Sequence, residues 1–109
     1  MGDKPDTPIY SARDEDVDVR EEISDFVIHL AERVDLLQDV EGGADFGPLE
    51  KLARDLASES ERFGFDLLAE VSLRVVAGCE EQKADVVQDS LVELTDVARR
   101  IRLGHRGAA

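Results

Sequence analysis

The sequence predicts an all-α fold, an antiparallel up-down-up-down four-helix bundle with an N-terminal arm. Three observations lead there. Apolar residues recur at steps of three and four along four segments, the spacing of one helix face. No alternating strand pattern competes with them. Trp is absent and Phe and Tyr number only four and one, so the core must come from Leu, Val, Ile and Ala, which suits helices packed on helices. Short connections make neighbouring helices antiparallel, and 109 residues amount to one domain.

Residues 1–8 hold Gly, Asp, Lys, Thr and two prolines and read as a disordered lead-in. "PIYSARDEDVD" sets Ile9 and Tyr10 against an acidic cluster and reads as an arm lying across one end of the bundle, with a short helical turn. Asp14, Asp16 and Asp18 are N-cap candidates for the first helix. That helix is expected from Val19 to Val40, with Ile23, Phe26, Val27, Leu30, Val34 and Leu37 in one stripe. Glu21 and Glu22 sit in its first turn, where the positive end of the helix dipole favours them. "EGG" stops it.

Pro48 suits the first turn of a second helix, because its missing N–H would be unpaired there anyway. Leu49, Leu52, Ala53, Leu56 and Ser60 form that helix's inner face, and Phe63 and Gly64 end or bend it. A third helix is expected from Asp66 to Ala77, with Leu67, Leu68, Val71 and Val75 inward and Gly78 as the stop. The fourth starts near Glu80, and its seam is Ala84, Val87, Leu91, Leu94, Ala98 and Ile101. Arg99, Arg100 and Arg102 complement the dipole at its far end. The domain is thus expected over residues 9–103, with "GHRGAA" as a flexible tail.

Charge narrows the function. There are 26 acids against 13 bases, a net charge of -13. That argues against nucleic acid, which is bound through Lys and Arg facing phosphates, and against an anionic membrane surface. It is compatible with a partner that presents a basic surface. The lone Cys79 forms no internal disulfide and fits a reducing cytoplasm. "MGDKPDTPIY" lacks the apolar core of a signal peptide, and no apolar run approaches a membrane span. A cytoplasmic location is expected.

Catalytic chemistry finds little support. The two histidines, His29 and His105, form no Glu-x-x-His pair of the di-iron type. Asp14, Glu15, Asp16 and Asp18 lack EF-hand spacing and read as a solvated face. No metal or cofactor is expected. Ser11, Ser24, Ser58, Ser60, Ser72 and Ser90 have no nucleophile-elbow context, and no glycine-rich phosphate loop exists. Cys79 lies beside Glu80 and Glu81, whose charges raise a thiol pKa, and it reads as a small structural residue near a helix start. His29 lies on a flank away from the apolar stripe and reads as solvated, and His105 falls in the tail.

"LEKLARDLASESERFGFDLLAEVSLRV", residues 49–75, resembles the phosphoacceptor segment of histidine-containing phosphotransfer (HPt) domains of bacterial phosphorelays. That pattern runs Leu-x-x-Leu-Ala-His-x-Leu-Lys-Gly, then small residues, then aromatic-Gly-Phe. Leu52, Ala53 and Leu56 match its apolar part, and Phe63, Gly64 and Phe65 its close. "PIYS", "ISDFVIHLAERVDLLQ" and the glycine-containing turn before Leu49 agree in order, so the resemblance covers residues 8–102. It implies the HPt fold and a place in two-component signalling.

The departures fall on the chemistry. The phosphoacceptor histidine corresponds to Arg54, the lysine three residues on to Ala57, and the glycine after it to Ser58. The small residues become Glu59, Ser60, Glu61 and Arg62. A guanidinium is permanently protonated and has no lone pair with which to attack phosphorus. Phosphotransfer through residue 54 is therefore excluded, and no enzyme is expected. What the resemblance implies instead is a non-catalytic adaptor or inhibitor that binds a response-regulator receiver domain or a sensor kinase. Arg54, Asp55, Ala57, Ser58, Glu61 and Arg62 would form the partner-binding face, with Arg54 entering the receiver's acidic pocket. A plainer reading has Arg54 pairing with Glu50 or Ser58 along its own helix. Two other functions stand beside the adaptor. One is a structural or self-association module using Ile28, Leu36, Val86 and Val92, which lie off the main stripes. The other is phosphotransfer through His29.

Overall fold

Burying the four apolar stripes yields four helices: α1 (Arg20–Glu41), α2 (Gly47–Arg62), α3 (Asp66–Glu80) and α4 (Ala84–Ala108). The computed structural model describes residues 7–13, 15–42 and 45–108, with side chains through residue 105. Among the described residues there is no strand. Each helix packs on its neighbours in the chain, and α1 and α4 close the ring. The diagonal pairs, α1 with α3 and α2 with α4, stay apart. The seams α2–α3 and α3–α4 are the most extensive and α1–α2 the thinnest. This is the expected four-helix bundle.

The predicted stripe of α1 is buried throughout, from Ile23 to Leu37. Leu49, Leu56, Leu68, Val71, Val75, Val87, Leu94 and Ile101 complete a core of fully buried aliphatics. Phe26 of α1 meets Phe63 and Phe65 at ring-centroid distances of 5.4 and 5.7 Å, tying α1 to the α2–α3 turn. Inward positions are corrected in two places. Leu67 is 38% exposed, because Leu68 and Val71 already fill the inner face of α3. Ala84 is exposed at the first turn of α4, one turn outside the seam. Leu52 is only partly buried.

The helix ends correct several expectations. Val19 precedes α1 with no side-chain cap. Asp16 instead accepts the N–H of Asp18 at 3.1 Å and the Arg13 guanidinium at 2.9 Å, so it organises the arm rather than α1. Asp18 makes no cap among the described residues, and Asp14 lies outside them. Before α2, Asp45 accepts the Gly47 N–H at 2.9 Å. α2 closes in a Schellman motif on Gly64, whose φ is +82°: Gly64 N–H bonds Glu61 C=O at 3.2 Å and Phe65 N–H bonds Ser60 C=O at 2.8 Å.

α3 closes in the same way, but on Gln82, with φ +55°. Gln82 N–H bonds Cys79 C=O at 3.2 Å and Lys83 N–H bonds Gly78 C=O at 3.0 Å. Gly78 is therefore not the stop. It lies inside α3, where a Cβ would come within 2.9 Å of a Val87 methyl, so its lack of a side chain lets α4 approach. Glu80 belongs to α3, and Cys79 sits near the end of that helix rather than near the start of another.

The arm does lie across one end of the bundle. Ile9 N–H bonds Arg100 C=O at 3.0 Å and Ala12 N–H bonds Gly64 C=O at 2.8 Å. The Ser11 hydroxyl donates to Phe63 C=O and accepts the Arg13 N–H at 2.9 Å. Arg100 Nε donates to Thr7 C=O at 2.8 Å. Thr7 is thus engaged, while residues 1–6 of the expected lead-in lie outside the described residues. α4 does not stop at Leu103: its helix continues to Ala108. Gly104 is buried, a Cβ there would sit 2.6 Å from Ile9 C=O, and His105 lines a cleft with Ile9 and Tyr10. Gly104 and His105, the first two residues of the segment read as a tail, thus form the far wall of the arm's seat.

Candidate functional site

The outer face of α2 follows from its inner one. With Leu49, Ala53, Leu56 and Ser60 buried, positions 51, 54, 55, 58, 61 and 62 must face water, and all six are exposed. Arg54, Asp55, Ser58, Glu61 and Arg62 therefore share an accessible surface. Ala57 does not: it is 4% exposed and presents no side chain to a partner. Its place in the partner-binding face is corrected, because the step of three from Arg54 turns back toward the core.

Arg54 is held twice. Its Nη2 donates to Glu50 Oε2 at 2.8 Å and to Glu80 Oε2 at 3.1 Å. The first contact is the expected pairing one turn along the helix. The second bridges α2 to the last turn of α3. Hydrogen bonds donated to Glu50, then to Glu80, push the Arg54 pKa above the ordinary guanidinium value. Both of these bonds come from Nη2, and Nη1 and Nε make no hydrogen bond among the described residues. The cluster carries two carboxylates and one cation and offers no nucleophile.

Its neighbours are paired more loosely. Asp55 sits 3.5 Å from Lys51. Arg62 reaches Glu22 of α1 at 3.0 Å and lies over the Phe63 ring at 5.1 Å. Arg13 Nη1 donates to Arg62 C=O at 2.8 Å, and a concavity of about 410 Å³ opens between Arg13, Ser58, Glu61 and Arg62. Cys79 is buried just inside the cluster. Burial first, then the charges of Glu50 and Glu80, hold its thiol pKa above the ordinary value. It is a packed thiol and not an activated one.

His29 lies apart, exposed on α1, with Nδ1 2.9 Å from Asp25 C=O. It borders a groove of about 310 Å³ along the α1–α2 seam, with Glu22, Asp25, Phe26, Arg33, Glu59 and Phe63. Arg33 and Glu59 pair across that seam at 2.9 Å. Among the described residues no group of three His, Cys, Asp or Glu side chains is placed to hold a metal ion. No helix among them is long and apolar enough to cross a membrane. Deep in the core, the hydroxyls of Ser60 and Ser72 are fully buried and have no hydrogen-bond partner among the described residues.

Glu80 is the member of the cluster that sequence reasoning misses. It stands 26 positions beyond Arg54, and only the length of α3 could have revealed it. The sequence matches no family model, and neither a curated protein nor a solved structure matches it.

Proposed function

We propose that this chain is an HPt-like binding module of a two-component phosphorelay that docks a receiver domain through the outer face of α2 without accepting phosphate. The observation that carries the reading is Arg54, exposed at mid-helix on the bundle face where the resemblance puts the phosphoacceptor, with both of its ion pairs made through Nη2 alone. The Schellman turn on Phe63, Gly64 and Phe65 supports it, as the matching close of the motif.

The mechanism follows from charge. Receiver domains in that family carry an acidic pocket that binds a divalent cation. Arg54 supplies a fixed cation that does not dissociate, with planar donors suited to carboxylates. Its bonds to Glu50 and Glu80 are solvent-exposed and therefore weak. They orient the guanidinium while Nη1 and Nε engage the incoming carboxylates, which docking desolvates. Occupying the pocket in this way would block phosphorylation of the receiver, making the module an inhibitor or a sequestering adaptor. The experiment is calorimetric titration against the receiver domains of the same organism, with Arg54→Ala as the control. Binding that Arg54→Ala weakens is the expected result; no binding to any receiver would sink the reading.

A second reading, a self-association module, rests on exposed aliphatics: Ile28, Leu36, Val86 and Val92 are 60, 47, 37 and 70% exposed. Sedimentation as a monomer across concentrations removes it. Phosphotransfer through His29 has one supporting contact: when Nδ1 donates to Asp25 C=O, Nε2 keeps its lone pair. An acid-labile phosphate that disappears in His29→Ala would be its signature.

A further inference from the structure

The seam between α1 and α4 carries a feature that the α2 face does not use. Gln38 and Glu41 of α1 and Gln88, Leu91, Val92 and Thr95 of α4 line an open groove of about 300 Å³. Leu91 forms its floor, and Val92 stands 70% exposed on its rim. A hydrogen bond from Gln38 Nε2 to Thr95 Oγ1 at 3.0 Å bridges the two walls. The groove runs between antiparallel helices, the shape into which another helix lays its side-chain ridges.

Glu41 is the carboxylate of the groove's lining, and exposed acids flank it by helical register: Asp35 lies one turn before Gln38, Asp85 one turn before Gln88 and Asp89 one turn before Val92. Together with Glu41, these carboxylates form no ion pair among the described residues. Two cations of the same helices are turned to other partners: Arg33 pairs with Glu59 on α2, and Arg100 with Asp96. A second copy of this chain would bring the same carboxylates face to face, which costs energy. An apolar seat flanked by carboxylates instead fits an occupant with a basic face and an aliphatic face.

We propose that the α1–α4 groove docks a basic amphipathic helix of a partner protein, its leucine-type side chains over Leu91 and Val92 and its Lys or Arg residues against Asp35, Glu41, Asp85 and Asp89. The site is independent of the α2 face, since α2 and α4 are diagonal in the ring. It stands even where no receiver binds Arg54. A protein holding both sites bridges two partners.

The probe is a fluorescently labelled 18-residue peptide with Leu on one helical face and Lys on the other, compared with the same residues in scrambled order. Anisotropy measures binding to the full chain, and amide chemical shifts map the site. Expected is binding of the ordered peptide, weakened about tenfold by Val92→Glu and by Asp89→Lys and reduced by salt. Shifts should centre on residues 35–41 and 85–95. Circular dichroism confirms that these surface variants fold. The proposal is overturned if the scrambled peptide binds equally, if Glu70→Lys on α3 weakens binding as much as Asp89→Lys, or if the shifts map elsewhere. A sedimenting dimer closed over Val92 would also overturn it.

Discussion

Ala12 donates its backbone N–H to the carbonyl of Gly64 at 2.8 Å, so the arm is fastened to the one residue of the α2–α3 turn that must be glycine. The left-handed φ of +82° and the closeness of the arm make the same demand. A Cβ on Gly64 would lie 2.7 Å from Ser11 Oγ, 2.8 Å from Arg13 N and 2.9 Å from Ala12 N.

Gly64→Ala should therefore lower stability by roughly 2 kcal/mol or more, from backbone strain and displacement of the arm. In a domain of this size the melting temperature falls on the order of 10 °C. Chemical denaturation measures the first, and loss of hydrogen-exchange protection at the Ala12 amide reports the second. Unchanged protection would show that the arm does not depend on this turn.

Gln82 poses the opposite case. It holds the left-handed position of the α3 cap with a side chain attached, on an exposed residue. Gln82→Gly keeps both closing hydrogen bonds and removes the strain. A gain of about 1 kcal/mol is expected in denaturant melts. Lower stability would mean that the Gln82 side chain holds the turn.

Ser60 and Ser72 each bury a hydroxyl without a partner among the described residues. Ser60→Ala and Ser72→Ala discard the desolvated group and keep the Cβ that packs. Each should be neutral or stabilising by on the order of 1 kcal/mol in the same assay. A clear loss of stability in either variant would show that its hydroxyl is bonded.

Cys79 links stability to pH. Its thiol pKa is raised in the fold by burial, then by Glu50 and Glu80, so the unfolded chain ionises first as pH climbs. The contribution is whole below the ordinary thiol pKa and is lost as pH rises from there through the raised value. Native protein should alkylate with iodoacetamide more slowly than the urea-unfolded chain at the same pH. Cys79→Ala should flatten the alkaline fall in stability; an unaltered fall would assign it to other groups.

The bundle is legible in the sequence because burial drives it. The stripes of α1, from Ile23 to Leu37, and of α4, from Val87 to Ile101, need only helical periodicity. What escapes is set by tertiary contact. Gly78 carries the signature of a helix stop, yet its missing side chain serves the crossing of α3 and α4. The real stop is Gln82, which no propensity favours in a left-handed turn. Asp16 looks like a cap but is taken by Arg13, and its carboxyl pKa is held below the usual value first by that hydrogen bond. At the site, the Arg54–Glu50 pair follows from a step of four. Glu80 does not, because it arrives on another helix. Ala57 is misplaced on the surface when a motif position is taken for an exposed one.

The arm's bonds reach across nearly the whole chain, from Ile9 to Arg100. Closing so long a loop is entropically costly, so these contacts are expected to form after the four helices have collapsed and to contribute little to the barrier for folding. What they hold back is the reverse passage. The seat that Gly64 and Gly104 make for the arm thus governs how long the native bundle persists once formed, while the speed of its assembly is left to the leucine and valine seams.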